Sequence, residues 1–315
     1  MAGSRKLVIV TRKTALDELV ERFNTRDQAR FYIEHMGGDF APYQAAHDAY
    51  SAAVETLRVQ IPKGQRTQWV DRSFLPTFTF GGDDVVVTLG QDGLVVNAAK
   101  YLRGQPLVAL NPDPSRIDGV LLPFPVSRAA EGIALGLSFR KSWADVTLAR
   151  ATLNDGQSLL AVNDLFIGQK THVSARYRIR HGGLEEDQSS SGIIVSTGAG
   201  STGWLRSVLT GAAGIVAANA QGRKNKKRND DPPYRFDWEA RRLVFAVREP
   251  FISKTSRAGL VYGEVTDADP LDVVSQMPQN GVIFSDGVEA DYLEFNSGSV
   301  ARIGLAERTL SLVQA

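Results

Sequence analysis

Asp84-Val-Val-Val-Thr-Leu-Gly-Gln-Asp-Gly-Leu-Val-Val-Asn-Ala-Ala-Lys100 is the stretch on which the fold of this chain turns. Val85 to Leu89 is a short apolar run rich in β-branched residues, the pattern of a parallel strand buried on both faces. Gly90 and Gly93 break it. Beyond Gly93 the apolar positions become Leu94, Val95, Ala98, Ala99 and Leu102, a helical stripe that Gly104 can end. The segment therefore reads strand, tight turn, helix. At such a turn the helix start offers free backbone N–H groups and the positive end of its dipole, and glycine lets a phosphate approach the main chain. Ligands of open α/β sheets bind at these carboxyl ends of strands. Asp92 is the one acid in the loop. An anion there opposes a phosphate unless it binds a cation or takes a proton from a substrate hydroxyl, so the loop points to chemistry on a phosphate-bearing ligand. The plainer alternative is an ordinary turn with Asp92 as a helix cap.

Upstream, Leu7 to Val10 reads as an opening strand, and Thr14 followed by Asp17 caps a helix from Ala15 to Phe23. Thr25 with Gln28 has capping-box spacing for a second helix that Gly37-Gly38 ends, and Pro42 suits the first turn of a third, through about Leu57. His47 on that helix has no partner acid or second His in view and reads as a surface or packing residue. The region from Thr67 to Phe80 is aromatic and proline-broken. Gly81-Gly82 precedes the Val85 strand, where a phosphate loop should follow it, and reads as a turn.

Downstream, Pro106 to Asn111 is another buried strand whose carboxyl end should lie beside the Gly90 loop. Strands separated by helices predict a parallel sheet with right-handed crossovers up to about Phe124. A connecting helix over Ser127 to Leu137 follows. Alternating runs then dominate at Asp145 to Leu153, Ser158 to Ile167, Ser174 to Arg180, Ile193 to Thr197, Leu243 to Val247, Gly259 to Val265, Val282 to Phe284 and Ala301 to Leu305. Asn154-Asp-Gly156 is a hairpin signal between the first two. Ser201 to Ala220 reads as helix, and the charged run Arg223 to Pro233 as a solvated loop. The expected fold class is α/β, with a parallel-sheet, Rossmann-like domain over residues 1–125 and a mainly β, sandwich-like domain over residues 126–315.

The 315 residues suffice for two cores, and 43% hydrophobic with 23% charged residues is a globular composition. Lys plus Arg number 36 against 35 Asp plus Glu, so overall charge calls for neither nucleic acid nor an anionic membrane. Any anion site must be local. The absence of cysteine excludes disulfides, thiolate zinc sites and cysteine nucleophiles. No apolar stretch reaches 18 residues and no leader-like segment stands near Met1, so a soluble cytoplasmic protein is the expectation.

A second glycine-rich turn, Ser196-Thr-Gly-Ala-Gly-Ser-Thr-Gly-Trp204, also follows a strand and opens a helix. Between the two loops, Asn163 and Asp164 interrupt the apolar run of Ala161 to Ile167; polar residues so placed serve either a site or a solvated strand end.

With these motifs the chain resembles the NAD kinase family, closest to its mitochondrial-type branch, over nearly its whole length. Gly90-Gln-Asp-Gly93 is similar to that family's Gly-Gly-Asp-Gly loop. Val108-Ala-Leu-Asn-Pro-Asp-Pro-Ser-Arg116 resembles the branch's Asn-Thr-Asp-Pro loop, and Asn163-Asp164 stands where the family has Asn-Glu. Ser190-Ser-Gly192 with Thr197 to Trp204 looks like its dinucleotide loop; Arg248-Glu-Pro250 and Asp286-Gly287 match later landmarks. The resemblance implies a Mg2+-dependent transfer of phosphate from ATP, or polyphosphate, to the adenosine-ribose 2′-hydroxyl of NAD, giving NADP. It assigns Asp92 as the catalytic residue and no residue to a metal. Gly90 and Gly93 would allow donor phosphates near the backbone, and Gln91 and Asn111 join them as cofactor-binding positions. Asn163, Asp164, Thr197, Gly200, Thr202, Gly203 and Trp204 fall on the NAD side, with Trp204 replacing a tyrosine as a stacking face. Its partners would be a dinucleotide and a nucleotide, and a homodimer is implied. Gln91 replaces the loop's second glycine, Leu94 replaces a threonine, and Ser191 stands where mainstream members have an acid. At a positive-φ position, a residue such as Gln91 would cost about 1–2 kcal/mol. Gln91 and Leu94 keep open a non-catalytic NAD- or nucleotide-binding protein, and a kinase for another hydroxyl on a sugar or lipid is a third reading.

Overall fold

In the computed structural model, residues 5–138, 143–219 and 234–315 are described. The charged run Arg223 to Pro233 lies outside them, as does Ala220 at the end of the expected second-half helix. Contacts divide the chain into unit 1, Met1–Ala144 with Leu310–Ala315, and unit 2, Asp145–Thr309.

Unit 1 is a parallel sheet wrapped by helices. Its strands are β1 (Leu7–Thr11), β2 (Thr67–Asp71), β3 (Val85–Leu89), β4 (Leu107–Asn111) and the two-residue β5 (Phe124–Pro125), in the order β5-β4-β3-β1-β2 and all parallel. Leu312 of the returning chain pairs with Leu107, also parallel. The helices are α1 (Ala15–Phe23), α2 (Arg26–His35), α3 (Ala41–Gln60), α4 (Asp92–Ala99) and α5 (Ala129–Leu137). Every residue of β3 and β4 is buried, as expected of strands covered on both faces. Leu7, Ile9, Val85, Val87, Val108 and Leu110 share one cluster with Tyr50, Ala53 and Leu57 of α3 and Ala129 and Ile133 of α5. The alternate residues Val8, Val86 and Ala109 are equally buried, so the period-two side-chain pattern serves a covered layer on each face.

Local chemistry sets the helix starts. The Thr14 hydroxyl accepts from the Asp17 N–H while the Asp17 carboxylate takes the Thr14 N–H, a reciprocal capping box. Thr25 accepts from Gln28 N–H, and Pro42 sits in the first turn of α3. His47 does have a partner acid. It is Asp17 on α1, 3.4 Å away and invisible in local sequence, and His47 Nδ1 also lies 2.9 Å from the Thr14 hydroxyl.

Unit 2 is a β-sandwich. Its strands follow as β6 (Trp143–Leu153, entering from unit 1), β7 (Ser158–Ala161), β8 (Asp164–Gln169), β9 (Ala175–His181), β10 (Leu184–Ser190), β11 (Ile193–Ser196), β12 (Leu243–Val247), β13 (Tyr262–Val265), β14 (Leu271–Ser275), β15 (Gly281–Ser285), β16 (Val288–Glu294) and β17 (Val300–Val313, ending in unit 1). One layer runs β13-β12-β11-β8-β15-β16, antiparallel throughout. The other runs β10-β9-β14-β17, with β6 beside β17 and β7 beside β6. A single core joins Leu165, Ile167, Val195, Phe245 and Ile283 of the first layer to Ala149, Tyr177, Ile179, Val273 and Ile303 of the second. The helix α6 (Trp204–Asn219) packs Leu205 and Val208 against Val244 and Ala246.

The sequence reading has no strand at β14 or β16, and three further polar or interrupted strands differ from it. β2 hides in the Thr67 to Phe80 region, and β10, Leu-Glu-Glu-Asp-Gln-Ser-Ser, carries too many charges to read as strand. Its partner β9 supplies opposite charges, with Arg178 bonded to Asp187 and Arg180 to Glu185. The expected continuous strand over Ser158 to Ile167 is two strands, broken at Val162-Asn163. No described helix is long and apolar enough to cross a membrane.

Candidate functional site

In unit 1 the Gly90 turn leaves the carboxyl end of β3 and enters α4 at once. The Gly90 N–H donates to Leu110 O at 3.2 Å, so the turn does lie beside the end of β4. A Cβ at position 90 would sit 2.8 Å from Leu94 Cδ2. Gly90 and the buried Leu94 are therefore a matched pair: the leucine fills the space a side chain at 90 would need. Gln91 is the N-cap, with φ −92° and ψ 170°. This is extended backbone open to any residue, so replacement of the second loop glycine strains nothing.

Asp92 is the first residue of α4. Its carboxylate accepts from Val120 N–H at 3.1 Å and Leu121 N–H at 2.9 Å. Asn111 braces the loop that provides them: its Nδ2 donates to Ile117 O at 2.9 Å and its Oδ1 accepts from Asp113 N–H at 2.9 Å. Both polar ends of the Asn111 side chain are thus engaged within its own loop. Two backbone donors fix the Asp92 carboxylate, while its four lone-pair positions leave room for a substrate hydroxyl.

In unit 2 the break between β7 and β8 is made by Asp286. Its carboxylate accepts from the N–H groups of Val162 at 3.2 Å, Asn163 at 2.7 Å and Asp164 at 3.4 Å, and its own N–H donates to Asp164 O at 2.9 Å. Three consecutive donors turned to one carboxylate cannot also continue a ladder, so the strand stops there. Asp286 (φ 54°) and Gly287 (φ 68°) form the two-residue turn between β15 and β16, the left-handed pair that favours Asp-Gly in a hairpin.

The glycine-rich loop locks onto the same break. Thr197 N–H donates to Asn163 O at 2.9 Å, and the Thr197 hydroxyl bonds to Val162 O while accepting from Gly200 N–H at 3.2 Å. A Cβ on Gly200 would stand 2.1 Å from Asn163 O, so only glycine permits this approach. The chain then makes one short turn over Gly200–Thr202 and starts α6 at Trp204. Asn163, Asp164, Thr197 and Gly200 are thereby brought together.

A cavity of about 220 Å³ opens beside this knot, lined by Asp164, Phe166, Trp204, Phe284 and Gly287. It is smaller than the roughly 300–1,000 Å³ of whole-ligand pockets and suits one ring system. Thr202 and Gly203 precede Trp204 but are not among the lining residues. Alternation builds the walls: Leu165 and Ile167 face the core, so Phe166 faces out, directly opposite Phe284, which is opposite Tyr292. Phe166 stacks on Trp204 with centroids 5.6 Å apart and planes 13° from parallel, and on Phe284 at 6.2 Å. Arg248 lies 5.3 Å from the indole centre. A purine stacked on Trp204 would slide beside Phe166 or displace Arg248.

Asp164 is buried among these rings. Burial first, and the charge of Asp286 second, push its carboxyl pKa from 3.8 up to about 7. Near neutral pH it holds its proton part of the time and can present an O–H donor to the cavity. The pattern reading misses Phe166 and Phe284, although the alternation Leu165-Phe-Ile-Gly168 carries that signal, and it marks Asp286-Gly287 only as a landmark.

No protein-family model matches the chain, and no curated protein matches it. Solved structures do. The crystal structure of an NAD kinase from Archaeoglobus fulgidus in complex with ATP is similar over 98% of this chain and 93% of that one, with TM-score 0.57 and 14% identity. The crystal structure of yeast NADH kinase complexed with NADH is similar over 100% of this chain and 84% of that one, with TM-score 0.59 and 13% identity. The fold is that of the NAD kinases. At such identities the likeness concerns the backbone, and function rests on the side chains described above.

Proposed function

We propose that the chain is a NAD kinase of the mitochondrial-type branch, transferring a phosphoryl group from ATP, or polyphosphate, to the 2′-hydroxyl of the adenosine ribose of NAD. The observation that carries this reading is Asp92: an acid at the first residue of a helix, at the carboxyl end of a buried parallel strand, fixed by two backbone donors. Phosphoryl transfer asks little covalent chemistry of a protein and much positioning. Asp92 accepts the proton of the 2′-hydroxyl as its oxygen attacks the terminal phosphorus, and the bond from that phosphorus to the donor's bridging oxygen breaks. In unit 2 the aromatic cavity takes the adenine ring, with Asp164 and Asn163 beside it. Asn111 acts through the Val120 and Leu121 N–H groups that hold Asp92.

Among the described residues no group of three His, Cys, Asp or Glu side chains could hold a metal ion. A Mg2+ that arrives on the donor phosphates needs few protein ligands, and the resemblance assigns it none. Bound there, Mg2+ would neutralise charge on the phosphates. The same resemblance proposes a homodimer.

A second reading, a NAD-binding protein without turnover, is favoured by Gln91 and Leu94. Purified protein given Mg2+, ATP and NAD, scored for NADP beside calorimetric NAD binding, separates the two. The kinase reading expects binding and NADP; NAD binding with no NADP from either ATP or polyphosphate overturns it.

A further inference from the structure

Arg12 follows β1, which lies between β2 and β3 in unit 1, and so stands at the carboxyl edge of the parallel sheet. Its backbone is tied to the end of β3 by one side chain: the Tyr50 hydroxyl accepts the Arg12 N–H at 3.1 Å and donates to Leu89 O at 3.1 Å. Arg12 Cδ then lies 3.6 Å from the point where a Cβ on Gly90 would be. The Arg12 Nε is shut off from solvent and has no hydrogen-bond partner. Its guanidinium carbon sits 5.8 Å from the centre of the Tyr50 ring.

Three other arginines of this unit, Arg58, Arg116 and Arg128, pair with Glu55, Asp113 and Glu131. Two acids that act on Tyr50 electrostatically have partners of their own. Asp71 accepts from the Ser73 N–H and hydroxyl, and Asp17 accepts from Thr14 and lies 3.4 Å from His47 Nδ1. Arginine stays charged at any relevant pH, and its rigid fork matches phosphate oxygens two at a time. A buried, unmatched donor is costly unless an acceptor arrives to meet it. Here the neighbouring residue is a glycine with no side chain, followed by the start of α4, where Leu94 N–H returns to Gln91 O and the N–H groups of Asp92 and Gly93 precede the helical ladder.

We propose that Arg12 binds the polyphosphate tail of the phosphoryl donor at the Gly90 turn. The assignment rests on the kinase reading for the donor's purpose, although anion binding is measurable without turnover.

The experiment uses the full chain as wild type and as Arg12→Met, with Arg12→Gln replacing the methionine variant if that one does not fold. Binding of inorganic tripolyphosphate and of ATP is measured by calorimetry, with NAD binding as the control and NADP formation scored separately. Loss of charge-assisted hydrogen bonds to phosphate predicts roughly 10- to 100-fold weaker binding of both anions, with NAD affinity unchanged. Equal weakening of both says that Arg12 reads phosphate; a loss seen with ATP alone, tripolyphosphate binding being unchanged, places Arg12 on another part of the nucleotide and overturns the proposal. Tripolyphosphate and ATP binding unchanged in the variant, or absent from the wild type, overturns the proposal. Normal NADP formation with an unchanged KM for ATP in the variant sinks Arg12 and leaves the kinase reading. Anion binding that depends on Arg12, with no NADP from the wild type, does the reverse.

Discussion

The Gly90 turn of unit 1 and the Asn163 break of unit 2 each present one acid on a backbone folded back by glycines, yet they treat that acid in opposite ways. Asp92 is half-buried, meets two N–H donors and has an arginine one residue beyond the neighbouring strand. Asp164 is buried among aromatic rings, and the carboxylate next to it belongs to Asp286, which has taken the three local donors for itself. A carboxylate that must accept a proton from a hydroxyl needs donors that fix it and room for a partner. A carboxyl beside a base-sized cavity does better dry, where it can keep a proton. Similar turns thus lead to different chemistry because of what surrounds them.

The largest expected effect breaks the unit 1 side of this comparison. Asp92→Asn keeps size and one acceptor oxygen but cannot take a proton, and NADP formation should fall by about 10²- to 10⁴-fold. NAD affinity and folding should hold. Near-normal turnover would make Asp92 a brace for the Val120-Leu121 backbone and nothing more.

Next, Asp164→Asn tests the dry carboxyl. Its folded pKa of about 7 lies above the ordinary 3.8, so the native state binds the proton more tightly than the unfolded chain does. Asp164 is therefore neutral for stability below about pH 4, and its cost grows as pH rises to about 7. Urea unfolding at pH 5 and pH 8 should show the variant gaining on wild type with rising pH. A constant difference between the two would place Asp164 in contact with water.

Smaller effects sharpen the picture. Trp204→Ala should weaken NAD binding by about 0.5–1.5 kcal/mol beyond the lost contact area, with unchanged affinity returning the indole to its packing against Phe166. Gln91→Gly should lower stability by about 0.4–1 kcal/mol, since φ −92° releases no strain and glycine only loosens the unfolded chain. A stabilised variant in thermal melts would contradict the extended geometry at position 91.

Sequence pattern carried the strand, turn and helix at Val85 to Lys100, because a fully buried β-branched run and a glycine pair leave little choice. It also carried the caps at Thr14 and Thr25 and the hairpin at Asn154-Asp-Gly156, all local chemistry. What it missed is long-range. The break at Val162-Asn163 depends on a carboxylate more than a hundred residues away, Asp286. β10 reads as charged loop until Arg178 and Arg180 are placed opposite its acids, and His47 finds Asp17 only through helix packing. Arg12 follows a plain strand with no motif around it, and its interest lies in a buried nitrogen that no pattern reports.

The most direct test of a 2′-hydroxyl kinase is ADP release by the wild type in the presence of Mg2+ and ATP, with NAD compared against NAD lacking the adenosine-ribose 2′-hydroxyl. ADP released in step with NADP from NAD, and no acceptor-dependent ADP from the deoxy analogue, is the predicted result; equal release with both acceptors would contradict it.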